Sequence, residues 1–187
     1  VITEMILTTT KFTYYGVGQA PTRFQPGDII FTHQTGIPAE LIRVGQFIRY
    51  HGEMKKFAHW NHVAMVVDNT GTIIEAVGRG VSYGHIDDYK DVEYVIVSTK
   101  LNKQSREQSV AAMTSFLKDK YGWLTITSIT LQLLTGIKIQ FSSSNSKVCS
   151  TAAAMALWAG GVIFDRDPNE MMPADLASAF NVEIPND

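Results

Sequence analysis

The chain has 187 residues, 45% of them hydrophobic and 18% charged, which suits a single globular domain burying about 70% of its unfolded surface. Its 16 Lys and Arg against 18 Asp and Glu leave a net charge of −2 with no basic run, so composition argues against a nucleic-acid partner. One cysteine excludes an internal disulfide and a cysteine-rich zinc site. No segment is apolar and long enough to span a membrane: the best candidate, Trp123–Leu134, is short and interrupted by four threonines and serines. The start at Val1 rather than Met points to a processed or excised piece, compatible with a cell-envelope or extracellular setting.

Residues 1–23 read as an extended lead-in. Ile2–Thr10 and Lys11–Tyr15 are rich in Thr, Ile, Tyr and Phe, which suit strands, and Gly16-Val-Gly18 breaks them. Pro26-Gly27 is a turn signal, and Ile29-Ile-Phe31 opens a buried strand; Asp28 between them reads as a turn or capping residue. Thr35–Tyr50 predicts a helix with Leu41, Val44, Phe47 and Ile48 on one face. His51–Trp60, rich in Lys, His and aromatics, reads as a solvated connection or as the rim of a site.

Trp60–Asp68, Asn69-Thr-Gly71 and Thr72–Val77 form the pattern of a β-hairpin, two apolar runs joined by an Asn/Gly turn. His62 opens the first strand and Glu75 stands near the end of the second, so antiparallel pairing makes them neighbours. A glutamate in an apolar strand calls for a partner, because an unpaired buried carboxylate is costly. His62 supplies one, and Glu75 then leaves one ring nitrogen of that histidine for other work.

Gly78–Gly84 reads as turn-rich, Val92–Ser98 as a strand, and Asn102–Lys120 as an amphipathic helix with Val110, Met113 and Leu117 on one face. Trp123–Leu134 suits a helix by length, although its Thr and Ile content would also suit a strand. The run Cys149–Leu157 predicts a helix that is apolar nearly all round, hence central, capped by Asn145 or Ser146 and ended by Gly160-Gly161. Cys149 then sits in a first turn, where unpaired N–H groups and the helix dipole favour negative charge. Position alone leaves two readings open, a nucleophile or a buried packing residue. Asp165–Pro173 is a polar loop, and Pro173–Phe180 a short helix begun by its proline. His33, His51 and His85 read as surface or rim residues. A metal pair of His59 and His62 lacks a third ligand nearby in sequence, so neither a metal nor a cofactor is expected.

Taken in order, Pro26-Gly-Asp-Ile-Ile-Phe31, Asn61-His-Val-Ala-Met-Val-Val67, Ile74-Glu-Ala-Val-Gly-Arg-Gly-Val81, Lys120-Tyr-Gly-Trp123, Val148-Cys-Ser150 and Pro173-Ala-Asp-Leu176 resemble the permuted papain-like cysteine amidases. These are the circularly rearranged branch of the NlpC/p60 superfamily that includes the YiiX-type hydrolases. The resemblance spans about residues 24–176. It implies an α+β fold, with a small antiparallel sheet or partial barrel carrying His62 packed on a central Cys149 helix. It also implies Cys149 as nucleophile, His62 as general base and Glu75 as the orienting third member, a position filled in that superfamily by His, Glu, Gln or Asn. Asp28 enters as support only. The implied activity is hydrolysis of an amide bond in a peptidoglycan peptide or an isopeptide. Acyl transfer or deacylation of a lipid, of the lecithin–retinol acyltransferase kind, and a catalytically silent binding module are the alternatives. The implied partner is accordingly a peptide, peptidoglycan or acyl-lipid substrate.

Overall fold

In the computed structural model, the described residues are 11–77, 80–118 and 149–184. The expected strand Ile2–Thr10, helix Trp123–Leu134, motif Lys120–Trp123 and caps Asn145 and Ser146 lie outside them. The class is α+β. Six strands form one wholly antiparallel sheet: β1 Lys11–Tyr15, β2 Ile29–His33, β3 His62–Val66, β4 Thr72–Val77, β5 Gly80–His85 and β6 Glu93–Ser98. Their spatial order is β1-β6-β2-β3-β4-β5. The described α-helices are α1 Ile37–Arg49, α2 Lys103–Ser115, α3 Cys149–Ala159 and α4 Pro173–Ala179.

Alternation of side chains along the strands divides the core in two. Ile29, Phe31, Val63, Met65, Ile74, Val95 and Val97 join the larger cluster, which takes in α3, α4 and Met113 of α2. Ile30, Ala64, Val66, Ile73, Tyr94 and Ile96 point the other way, into a smaller cluster closed by Tyr15, Ile86 and Tyr89. Central strands are therefore covered on both faces. This is why β3 reads as a continuous apolar run after its histidine.

Local chemistry explains the element boundaries. Gln25–Asp28 is a tight turn with Gly27 at φ +85°, closed by the Asp28 N–H donating to the Gln25 carbonyl at 3.1 Å. The turn before β4 is organised by Asp68, whose Oδ1 accepts from the N–H groups of Thr70 and Thr72 at 2.8 and 3.0 Å. Small residues let α3 sit close to its neighbours. A Cβ on Gly160 would fall 2.1 Å from Ser109 Oγ of α2, so the crossing of α2 and α3 demands glycine there.

Two expectations need correction. Gly80–His85 is a strand rather than a turn-rich stretch. Its glycines and polar residues carry little strand propensity, and the pairing with β4 is what makes it one. The segment after α1 is a solvated connection only in its first half: His51, Gly52, Glu53 and Lys55 are exposed, but Gly52–Phe57 is a 3₁₀ helix, and Phe57, Ala58 and Trp60 are buried. Trp60 Nε1 donates to the Val182 carbonyl at 3.0 Å, and Gln46 Nε2 of α1 donates to the Trp60 carbonyl at 2.9 Å.

Candidate active site

The hairpin register pairs Ala64 with Glu75, which sets His62, two residues before Ala64, diagonally across from the glutamate on the same face. His62 Nε2 meets Glu75 Oε2 at 2.6 Å; His62 is buried and Glu75 partly so. The same oxygen accepts the phenolic O–H of Tyr89 at 2.6 Å. Tyr89 comes from a 3₁₀ turn, Ile86–Tyr89, whose start is held by Asp88 Oδ2 accepting the His85 N–H at 2.9 Å. Its ring stands edge-on to that of His62, with centroids 6.2 Å apart. Gly84 of β5 leaves room for the carboxylate: a Cβ there would lie 3.3 Å from Glu75 Oε1.

Cys149 reaches this group from the first turn of α3 and hydrogen-bonds His62 through its side chain. With Nε2 on Glu75, Nδ1 is the ring nitrogen left for the sulfur. The helix is anchored at that end. Ser150 Oγ donates to the Met171 carbonyl at 2.7 Å, and Thr151 Oγ1 to the Asn169 carbonyl at 3.4 Å. Asn61 anchors the other side. It lies next to His62, its N–H donates to the carbonyl of Thr32, and its amide bonds both backbone groups of Gln34 at 2.8 Å.

Burial alone would push the His62 imidazolium down, but the charge and hydrogen bond of Cys149, then those of Glu75, outweigh it and raise the group to about 10. Burial, followed by the charge of Glu75, drives the Tyr89 phenol well above its ordinary range. Tyr89 therefore stays a neutral donor. The arrangement is a row: phenol to carboxylate to imidazole to sulfur, with the bonds to its two neighbours favouring a positive charge on the imidazole.

The structure brings His62, Glu75 and Cys149 together and leaves Asp28 elsewhere. Thr32 is the residue of β2 opposite His62, and Asp28 precedes Thr32 by four residues, roughly 13 Å along the strand. There Asp28 Oδ1 pairs with Arg106 Nη1 of α2 at 2.8 Å, and Oδ2 accepts the Gln25 N–H at 3.0 Å. Burial pushes its carboxyl up against the pull of Arg106. Asp28 is a clamp between the turn and α2. A cavity of about 900 Å³ also lies at that end, beside Pro26, Val67, Leu101, Arg106 and Val110, and its lining includes none of the Cys149 cluster.

His59 turns away from His62. Its Nε2 meets Glu93 Oε2 at 3.0 Å, and its ring stacks on His33 with centroids 4.1 Å apart. Among the described residues no group of three His, Cys, Asp or Glu side chains is placed to hold a metal ion. Tyr89 is the member the sequence did not announce, because a tyrosine after two aspartates in a turn carries no spacing signal. No protein-family model and no curated protein matches the chain.

Proposed function

We propose that this chain is a cysteine hydrolase with a permuted papain-like fold, cleaving an amide bond in a peptidoglycan peptide or an isopeptide. The observation that carries the reading is His62, buried and hydrogen-bonded to Cys149 on one side and Glu75 on the other. A thiol is a weak nucleophile until its proton is removed, and an imidazole within hydrogen-bond reach removes it. A carboxylate on the far nitrogen fixes the ring and stabilises the imidazolium that results. The chain order of histidine, acid and then cysteine, with the cysteine opening a buried helix against an antiparallel sheet, also supports the reading.

In the first half-reaction the Cys149 sulfur attacks the carbonyl carbon, and His62 holds the proton from the thiol. The backbone N–H of Cys149, one of the groups an α-helix leaves unpaired at its start, faces the developing oxyanion. Collapse breaks the C–N bond, His62 protonates the leaving amine, and a thioester remains on Cys149. Water then attacks the thioester while His62 takes its proton. The acid departs, and the proton returns to the Cys149–His62 pair.

Iodoacetamide labelling tests the reading first. Cys149 should alkylate at about neutral pH at least tenfold faster in the wild type than in His62→Ala, and intact mass should place the adduct on that residue. Muropeptides and phospholipids then serve as parallel substrates. Release of a new amine supports amide cleavage, whereas acyl release from phospholipid alone assigns the same thioester to lipid chemistry. A folded protein whose Cys149 is inert overturns both.

A further inference from the structure

We propose that α1 is a docking face for an anionic lipid surface. Surface helices ordinarily turn their apolar stripe to the core, and α1 does the reverse. Its buried side is carried by Ala39, Gln46 and the following Tyr50. Gln46 bonds the Trp60 carbonyl and the Ala174 N–H, while Tyr50 donates to Asp175 at 2.5 Å. Ile42 and Tyr50 also pack against the main core, so polar bonds and apolar contacts together hold this helix on the fold. Ile37, Leu41, Val44 and Ile48 recur at i, i+4, i+7 and i+11, an arc of about 60° on the opposite side. They are exposed to 79%, 39%, 44% and 47%, and Phe47 beside them to 37%.

Charge selects the occupant. Arg43 and Arg49 stand on the two flanks of the stripe, and Lys55 and Lys56 follow the helix. Residues 37–56 carry four cations against Glu40 and Glu53, so this segment is +2 in a chain of −2. Glu40 pairs with Arg43, and Lys56 with Glu53 and Glu183, while Arg49 and Lys55 are exposed. An exposed aliphatic stripe with the Glu40–Arg43 pair on one side and the exposed Arg49 on the other fits the boundary between acyl chains and anionic headgroups, where side chains sink in and cations stay at headgroup depth. Two copies pairing through this face would instead set one positive surface against another. The inference is independent of the chemistry at Cys149.

The test is co-sedimentation of the full chain with phosphatidylcholine vesicles, with and without roughly a third phosphatidylglycerol. Wild type should bind the mixed vesicles at least tenfold more tightly than the neutral ones. Leu41→Glu/Ile48→Glu should weaken that binding at least tenfold, and Arg49→Gln by about fivefold, the worth of one cation at such a surface. Ile37→Ser, at the most exposed position, guards against misfolding as the cause and should weaken binding too. Failure of the wild type to bind either vesicle overturns the proposal, as does equal binding by the double variant. A wild-type dimer in light scattering that the double variant abolishes, without vesicle binding, assigns the face to a second copy instead.

Discussion

Tyr89 and His62 share one oxygen of Glu75, each at 2.6 Å. The glutamate is thereby held from two sides, by a phenol that stays neutral and an imidazole that tends to be charged. Loss of either partner leaves a partly buried carboxylate short of a hydrogen bond.

Tyr89→Phe removes the phenolic donor and keeps the ring against His62. A hydrogen bond to a charged group contributes about 1.5–3 kcal/mol, so the variant should be less stable by that amount in urea unfolding. An unchanged midpoint and slope would show that the phenol contributes nothing.

Glu75→Gln keeps the shape and an acceptor but removes the charge that helps hold a proton on His62. The imidazole should then titrate lower than its wild-type value of about 10, by about one unit or more. Histidine carbon-bound proton shifts followed against pH give the answer. Titration at the wild-type position would mean that Glu75 does not set the charge of His62.

The raised value also fixes a direction for stability. An imidazole in the unfolded chain titrates near 6.5 and in the folded protein at about 10, so the folded state holds the extra proton between those limits. Its contribution is whole below about pH 6.5 and is lost as the pH rises through about 10. Denaturant midpoints measured near pH 7 and near pH 10 should fall further in the wild type than in His62→Gln. Equal falls would contradict the assignment.

Arg106→Met strips Asp28 of its buried cation, together with the bonds Arg106 donates to the carbonyls of Pro26, Thr99 and Leu101. Breaking one side of a buried pair costs about 3–5 kcal/mol, and Asp28→Asn in the same chain should recover part of the loss. Alkylation of Cys149 in the folded protein should match wild type in both variants. A selective drop in labelling without loss of stability would return Asp28 to the site.

How much of this was legible in the sequence depended on distance along the chain. His62 and Glu75 lie within one hairpin, and a short turn organised by Asp68 leaves few registers, so their contact follows from local rules. The α3 helix was equally plain, because a run of alanines that is apolar all round has only a core to go to. Periodicity likewise placed Leu41, Val44, Phe47 and Ile48 of α1 on one face. It says nothing of which way a face turns, and here Ile42, Gln46 and Tyr50 take the inward side and leave this stripe outside.

Spacing by itself determined a His/Glu hairpin and a cysteine-headed helix, since these are properties of adjacent residues, and the α+β class came from the order of the motifs that carry the resemblance. Tertiary structure alone decided that Tyr89 completes the row and that Asp28 is a clamp on α2. It also made the glycine-rich Gly80–His85 a strand. Each of those outcomes rests on a partner supplied by another element, and a single position in a sequence carries no record of what the folded chain will place beside it.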